Sequence, residues 1–314
     1  MTWSNHTPVT EFILLGFSRL SLELQLVLFG AVLVIYMITL SGNIMAIVLI
    51  TVDPLLHTPM YLFLKNLSII EICMTTSVVP KMLGDILSKY KTISFLGCAA
   101  QMALFFIPGQ NECLLLGAMA YDRYVAICYP LHYSTVMNLR ICIHLMLGAW
   151  LVSFLVTLAQ IVFIFSLSYC GPNQINHFFC DVSPLLDLAC QDTLMNKVFI
   201  FVDVVIVLLI PFALILFSYI NILSTILRMR SVEGKRRAFS TCSSHLTSVT
   251  LFYGTATSVY MVGSGRTRDT DKFCSLLYCI VTPVLNPMIY CLRNKEVKHA
   301  FQSFVGRKLS IQRP

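Results

Sequence analysis

Residues Leu26 to Ile50 read LVLFGAVLVIYMITLSGNIMAIVLI, and this run decides the fold. It carries no charged residue, and its polar positions are small or neutral, Ser41, Gly42 and Asn43 among them. A helix crosses a bilayer with about 20 mostly apolar residues, so the run is long enough to span. Working outward, six further runs follow: Pro59 to Val79, Phe95 to Ala120, Ile141 to Phe165, Val198 to Leu227, Ala238 to Val262, and Phe273 to Leu292. The second, sixth and seventh are the most interrupted by polar residues. The runs are continuous, whereas barrel strands alternate and span in about 9–11 residues. The expected fold is therefore an all-α membrane protein, a seven-transmembrane helix bundle. It forms one domain: 1–24 as an extracellular N-terminus, 25–292 as the bundle and 293–314 as a cytoplasmic tail.

Composition agrees. Of 314 residues 12% are charged and 57% hydrophobic, and mean hydropathy is +0.79. Soluble domains carry about 25% charge. A disordered chain would be polar, and a soluble enzyme of this size would need polar cover. The histidines have no metal-ligand spacing, and no glycine loop could cradle a phosphate, so no enzyme is expected. The two halves lack corresponding broken helices, which disfavours a small-solute transporter. Met1 to Leu24 has neither the basic start nor the apolar centre of a cleavable signal. The first span is then an uncleaved signal-anchor.

The net charge of +7 is no nucleic-acid signal; its distribution matters more. Between spans five and six, Arg228, Arg230, Lys235, Arg236 and Arg237 stand against Glu233, a balance of +4. After span seven, Arg293, Lys295, Lys298, Arg307, Lys308 and Arg313 stand against Glu296, a balance of +5. Inner segments sum to +9, outer segments to zero, and the spans to −2. Cytoplasmic loops collect Lys and Arg, so the N-terminus is predicted outside and the C-terminus inside a plasma membrane. Asn5-His6-Thr7 is a glycosylation acceptor pattern on the outer side. Cys98, Cys170, Cys180 and Cys190 fall in or beside outer loops, and four cysteines allow three pairings. Asn294 to Phe304 sets Val297, Phe301 and Phe304 on one face, the pattern of an amphipathic helix on the inner leaflet.

Carboxylates inside spans are costly and usually face the bundle interior. Glu71, Glu112 and Asp203 are such residues. Glu112 lies on one stripe of the third helix with Phe105, Gly109, Leu116 and Arg123, which connects an outer pocket to an inner end. If Glu71 approaches Glu112, either one keeps its proton or a small cation sits between them, with Asn43 and Asn286 as further ligands. Asp203, one turn into the fifth helix, could bind a ligand donor or be solvated at the helix start. Asp122-Arg123-Tyr124 closes the third span, where an ion pair could be broken by an inner partner. Asn286-Pro287-x-x-Tyr290 puts a proline bend in the seventh, a candidate hinge.

These pieces name a family. Gly42-Asn43, Leu56-His57-Thr58-Pro59-Met60-Tyr61, MAYDRYVAIC from Met119 to Cys128, Pro130-Leu131, Ser218-Tyr219, AFSTCSSH from Ala238 to His245, and Pro283-x-Leu285-Asn286-Pro287-x-x-Tyr290 occur in order. The chain resembles an odorant receptor of the rhodopsin-like, G-protein-coupled class over nearly its whole length. The resemblance implies that small volatile molecules bind in the outer half and that a stimulatory, olfactory-type heterotrimeric G protein is activated, raising cyclic AMP. It implies a Cys98–Cys180 disulfide and suggests Cys170–Cys190. It assigns Asp122, Arg123 and Tyr124 to an inner switch, with Tyr219 and Tyr290 as partners and Arg123 as the group released. It favours a cation, sodium, at Glu71 and Glu112, and no other cofactor.

The sequence departs from the wider class in having Glu71 where Asp is usual, and Phe252-Tyr253-Gly254 in place of a Trp-centred motif, which makes Tyr253 the pocket-floor switch. Arg237 stands where the odorant receptors often have Lys. By position the ligand set is Phe105, Phe106, Gly109, Gln110 and Cys113 on the third helix. Asp203 and Val207 join from the fifth, Tyr253, Thr257 and Tyr260 from the sixth, and Leu276 and Cys279 from the seventh. This set suits small, mostly hydrophobic ligands. A seven-helix receptor for a non-odorant small molecule is the nearest rival. Membrane lipid is the only other partner expected, and nucleic acid is not one.

Overall fold

The computed structural model describes residues 9–170, 172–260, 268–289 and 297–302, and within them omits the side chains of Arg237, Tyr260, Arg268 and Asp269. Among the described residues seven rods form the body. They are α1 (Leu22–Val52), α2 (Pro59–Leu87), α3 (Phe95–Cys128), α4 (Leu139–Phe165), α5 (Leu194–Arg228), α6 (Val232–Tyr260) and α7, which runs as Arg268–Leu276, a π segment Leu277–Val281 and Thr282–Pro287. The first five are long and apolar enough to cross a membrane. α6 and α7 are the polar pair: α6 opens on Val232-Glu233-Gly234-Lys235 and is rich in Ser and Thr, and α7 opens on Arg268-Asp269-Thr270-Asp271-Lys272.

Local chemistry starts the helices. Ser21, Ser94 and Asn138 accept from backbone N–H groups of the first turns of α1, α3 and α4. Pro59 begins α2, where its missing N–H costs nothing. The apolar residues then divide by solvent. On α4, Leu147, Leu151, Leu155 and Leu158 are exposed while Ser153, Thr157 and Gln160 are buried. A soluble protein does not turn a leucine ridge outward; a bilayer is the solvent that suits it. α3 sits in the centre, against α2, α4, α5 and α6, and α1 closes the ring between α2 and α7.

One end of the bundle is capped. β1 (Glu11–Leu14) lies between β2 (Thr92–Ser94), antiparallel, and β3 (Gln174–Ile175), parallel. Phe12 pairs with Ile93 across the ladder and packs on Phe95 and Tyr169, with centroids at 5.9 and 5.4 Å. The chain then turns at Gly16, whose φ of +49° is open to glycine without strain. Phe17 lands on Phe178 and Phe273, and Lys272 at the start of α7 donates to the Gly16 carbonyl at 2.8 Å. Disulfides join Cys98 to Cys180 and Cys170 to Cys190 at this same end. The N-terminal segment from residue 9 is thus a strand of the cap.

Helix limits extend beyond the apolar runs. α5 begins at Leu194, ahead of the expected Val198, because Asn196 and Lys197 dilute hydropathy without breaking the helix. Asp203 therefore lies more than two turns inside α5, not one turn from its start. A π segment, Val204–Leu209, follows it directly. Residues 297–302 are helical, with Val297 and Ala300 buried and Phe301 exposed. Phe304 and the rest of the expected amphipathic helix lie outside the described residues.

Candidate functional site

The midpoint of the bundle holds the two acids. Glu71 on α2 and Glu112 on α3 are 1% and 2% exposed. Asn286 of α7 spans both: its Nδ2 donates to Glu71 Oε1 at 2.5 Å and to Glu112 Oε1 at 3.4 Å. Asn43 of α1 is buried beside Glu71, and its own Nδ2 donates to the Thr39 carbonyl. Three buried oxygens, Glu71 Oε2, Asn43 Oδ1 and Asn286 Oδ1, have no hydrogen-bond partner among the described residues. A cavity of about 20 Å³, lined by Ser68, Glu71, Asn286, Pro287 and Val297, opens beside them. Four helices thus bring together the four residues singled out for cation binding. Two carboxylates and two amides can share a proton or coordinate a small hard cation.

Towards the cap, the expected ligand residues form two groups. Phe105 packs on Phe179 at 4.9 Å, on Phe106 at 5.4 Å and on Tyr278 at 6.0 Å. A side chain at Gly109 would meet Tyr278 Oη at 3.2 Å, so the glycine is what admits that hydroxyl. The second group is polar. Gln110 Nε2 donates to both oxygens of Asp203 at 3.3 Å, and Thr157 Oγ1 donates to Gln110 Oε1 at 3.1 Å. Cys113, one turn further along α3, donates to the Gly109 carbonyl, and Val207 is buried one turn beyond Asp203. Tyr253 packs on Phe212 at 4.9 Å, and its buried hydroxyl has no partner among the described residues. Thr257 and Leu276 are half-buried and Cys279 is fully buried, but no hydrogen bond or ring contact among the described residues ties them to the α3 group. The side chain of Tyr260 lies outside the described residues.

Phe179, Tyr278, Met74 and Thr157 belong to this region and were not singled out from the sequence. Tyr278 carried a readable signal: Tyr278, Thr282 and Asn286 recur every fourth residue and are all buried. Thr157 looked like any hydroxyl in an apolar span.

At the opposite, basic end Asp122 pairs with Arg123 at 2.9 Å and accepts from Tyr133 Oη at 2.8 Å. Tyr124 packs edge-on against Tyr129 at 5.6 Å. Tyr219 of α5 stacks on His245 of α6, with centroids at 5.7 Å. Its hydroxyl bonds His245 Nδ1 at 2.7 Å, and His245 Nε2 reaches the Leu116 carbonyl at 3.2 Å. A carbonyl can only accept, so Nε2 carries the ring proton, Nδ1 accepts, and Tyr219 donates. His245, fully buried, thereby joins α5, α6 and α3. In the sequence it stands out only as the last residue of the AFSTCSSH stretch. Asn5 and Tyr290 lie outside the described residues.

Comparison with known proteins places this architecture. Residues 32–308 match the family model for olfactory receptors. Olfactory receptor 10A4 of Homo sapiens is 50% identical over 314 residues, covering 100% of both chains. Olfactory receptor 10A7 of Homo sapiens is 48% identical over 310 residues, 98% of each chain. Olfactory receptor 5AR1 of Mus musculus is 47% identical over 309 residues, 98% of this chain and 99% of that one. With seven helices, a lipid-facing leucine surface and likeness running from end to end, the chain belongs to the olfactory receptor family: it is a multi-pass odorant receptor of the plasma membrane and G-protein-coupled class, and not an enzyme.

Proposed function

We propose that the disulfide end faces outward and binds small, mostly hydrophobic odorants among Phe105, Phe106, Gly109, Gln110, Cys113, Asp203, Val207 and Tyr253. Thr257, Tyr260, Leu276 and Cys279 complete the set on α6 and α7. The basic end faces a stimulatory, olfactory-type heterotrimeric G protein, and activation raises cyclic AMP. One observation carries this reading: α3 alone runs from the aromatic group at Phe105, past the Glu71–Asn286–Glu112 centre, to the Asp122–Arg123 pair. A ligand that favours one arrangement of α6 and α7 around that helix shifts the equilibrium by its differential affinity. Asn286-Pro287 supplies the bend in α7. Breaking the Asp122–Arg123 pair frees Arg123 for the G protein, with Tyr124, Tyr219 and Tyr290 around it. The positive balance at the basic end supports the orientation.

The test is Arg123→Ala. The variant reaches the cell surface and loses the odorant-evoked cyclic-AMP rise; a normal rise sinks the mechanism.

A sodium ion suits the midpoint, because Glu71, Asn43 and Asn286 each offer a buried oxygen without a partner, and Glu112 adds a second carboxylate. Bound there, it supplies the positive charge that the pair lacks. Thermal stability of the wild type then rises with sodium, and Glu71→Ala with Glu112→Ala removes that dependence. A wild type indifferent to sodium leaves the shared proton as the answer.

A further inference from the structure

Asp203 has no counter-ion among the described residues. The ion pairs among the described residues are Lys81–Asp85 and Arg123–Asp122, and neither involves it. It sits nine residues into α5, about 13 Å along the axis at 1.5 Å per residue, so the fraying helix start does not solvate it. An uncompensated carboxylate at such a place in a span is costly. Among the described residues its only hydrogen-bond donor is the Gln110 amide, which stands at 3.3 Å from each oxygen. Charge-assisted N–H···O bonds close to about 2.7–2.9 Å. A carboxylate can accept about four bonds, so most of its capacity is unspent.

The Gln110 amide is itself held in place. Thr157 Oγ1 donates to its carbonyl oxygen, which leaves the NH₂ to face the acid. Thr157 is thus a positioning residue on α4: it fixes which end of Gln110 Asp203 meets. An uncharged asparagine at 203 could take the same amide contact, so the structural bond does not explain the charge. Around the acid the chain offers neutral or apolar groups. Val207 is buried one turn along and Cys113 lies within electrostatic reach across on α3, while further along α5 Phe212 carries the Tyr253 ring, whose hydroxyl is unpartnered among the described residues.

Resting on the odorant-site reading above, we propose that this receptor is built for small amines, with an ammonium head on the Asp203 carboxylate and an apolar skeleton among Val207, Phe106 and the Tyr253 ring. A simple amine, like a lysine side chain, has a pKa of about 10. The amine therefore arrives protonated, and the bound pair is ammonium and carboxylate. Its N–H groups take the acceptor sites that Gln110 leaves, and Tyr253 Oη offers a second hydrogen bond. Carboxylic acids of the same skeleton meet like charge and are rejected. Alcohols can donate one neutral hydrogen bond and bind less well.

The experiment uses the full chain in cells with an olfactory-type G protein and a cyclic-AMP reporter. Matched sets of alkyl and phenylalkyl amines, alcohols, aldehydes and carboxylic acids are applied, with surface labelling of every variant. Amines are expected to act at tenfold or more lower half-maximal concentration than the alcohol of the same skeleton. Asp203→Asn brings that ratio close to one, and Asp203→Glu, which keeps the charge, retains part of it. Thr157→Val lowers the response to amines and alcohols alike by a few-fold, since it disturbs Gln110 and leaves the charge. If Asp203→Asn fails to reach the surface, the wild-type ratio and the Asp203→Glu ratio decide.

If neutral compounds activate the wild type and amines have no advantage, the proposal is overturned and the odorant reading stands. An amine advantage that survives undiminished in Asp203→Asn overturns it as well. If no volatile of any class raises cyclic AMP in a receptor that labels normally at the surface, the odorant reading falls and takes this proposal with it.

Discussion

The two ends of the bundle are closed by different kinds of bond. At the capped end two disulfides, a three-stranded sheet and the Lys272 bond to Gly16 hold the N-terminal segment, the long loop and α7 together. At the basic end the closure is an ion pair between sequence neighbours and a Tyr219–His245–Leu116 chain of hydrogen bonds. Covalent links rearrange over minutes to hours without catalysis, whereas packed helices shift in microseconds to milliseconds. On the proposed reading the end that binds is the covalently closed one, and the end that signals is held only by bonds that break and re-form readily. This division lets a ligand of few atoms do its work through a small difference in affinity.

The comparison breaks most severely at Cys98. Its bond to Cys180 closes 82 residues, which the chain-entropy account values at about 4–5 kcal/mol. Cys180 N–H also donates to Gln101 Oε1, so the loop loses its seat on α3. Cys98→Ser is expected to abolish surface expression. Cys170→Ser, which opens a separation of only 20 residues, costs about 3 kcal/mol and leaves a measurable surface fraction. Equal loss from the two changes would mean that the loop is held by packing and not by the links.

At the basic end the expected effect is smaller in stability and larger in signal. Tyr219→Phe keeps the ring stacked on His245 but leaves Nδ1 of a fully buried imidazole without its donor, at a cost of about 1–3 kcal/mol. The receptor is expected at the surface, melting a few degrees lower, with ligand-independent cyclic AMP raised several-fold. Basal signal and melting both unchanged would show that the chain of bonds does not restrain α6.

These differences were unequally legible in the sequence. α1 and α4 stand out because lipid is their solvent on one side and their apolar runs are unbroken. α6 and α7 do not, because their polar residues face inward: His245, Ser248, Lys272, Ser275 and Asn286 are all buried. The Glu71–Glu112–Asn286 meeting could be argued from carboxylates that have no other reason to lie in spans. The cap could not. β1 is four residues, Glu11–Leu14, and its partners Ile93 and Gln174 lie far along the chain, so no local pattern announces it. Asp203 was placed too near the helix start because Asn196 and Lys197 weaken hydropathy exactly where α5 begins. The contact between Gln110 and Asp203 depends on how α3 crosses α5, which spacing along one helix does not encode.

The mildest way to sharpen the comparison is acid, read through two groups of the capping loop. His177 is buried in the loop, and burial, helped by the nearby Lys272 charge and resisted by a bond from the imidazole to the Phe179 backbone, pushes its pKa down to about 3. Asp181 is buried four residues on, and burial, reinforced by Asp271 and offset by the Val182 N–H, pushes its pKa up to about 6. The folded state binds fewer protons than the unfolded at His177, so that residue's contribution is present above pH 6.5 and is lost as pH falls towards about 3. The folded state binds more protons at Asp181, so its contribution is full below 3.8 and is lost as pH rises through about 6. Between about 4 and 6 the two slopes oppose each other, each close to 1.4 kcal/mol per pH unit at most. The wild-type cap is expected to melt at nearly the same temperature at pH 6 and pH 4.5. Asp181→Asn keeps an oxygen for the Val182 N–H and removes one slope, leaving a receptor that loses stability over that interval. His177→Phe keeps an aromatic ring against Phe178 and removes the other, giving one that gains. Melting curves of the purified receptor and both variants at the two pH values decide it: parallel behaviour of all three would mean that neither group stays buried when the chain is folded.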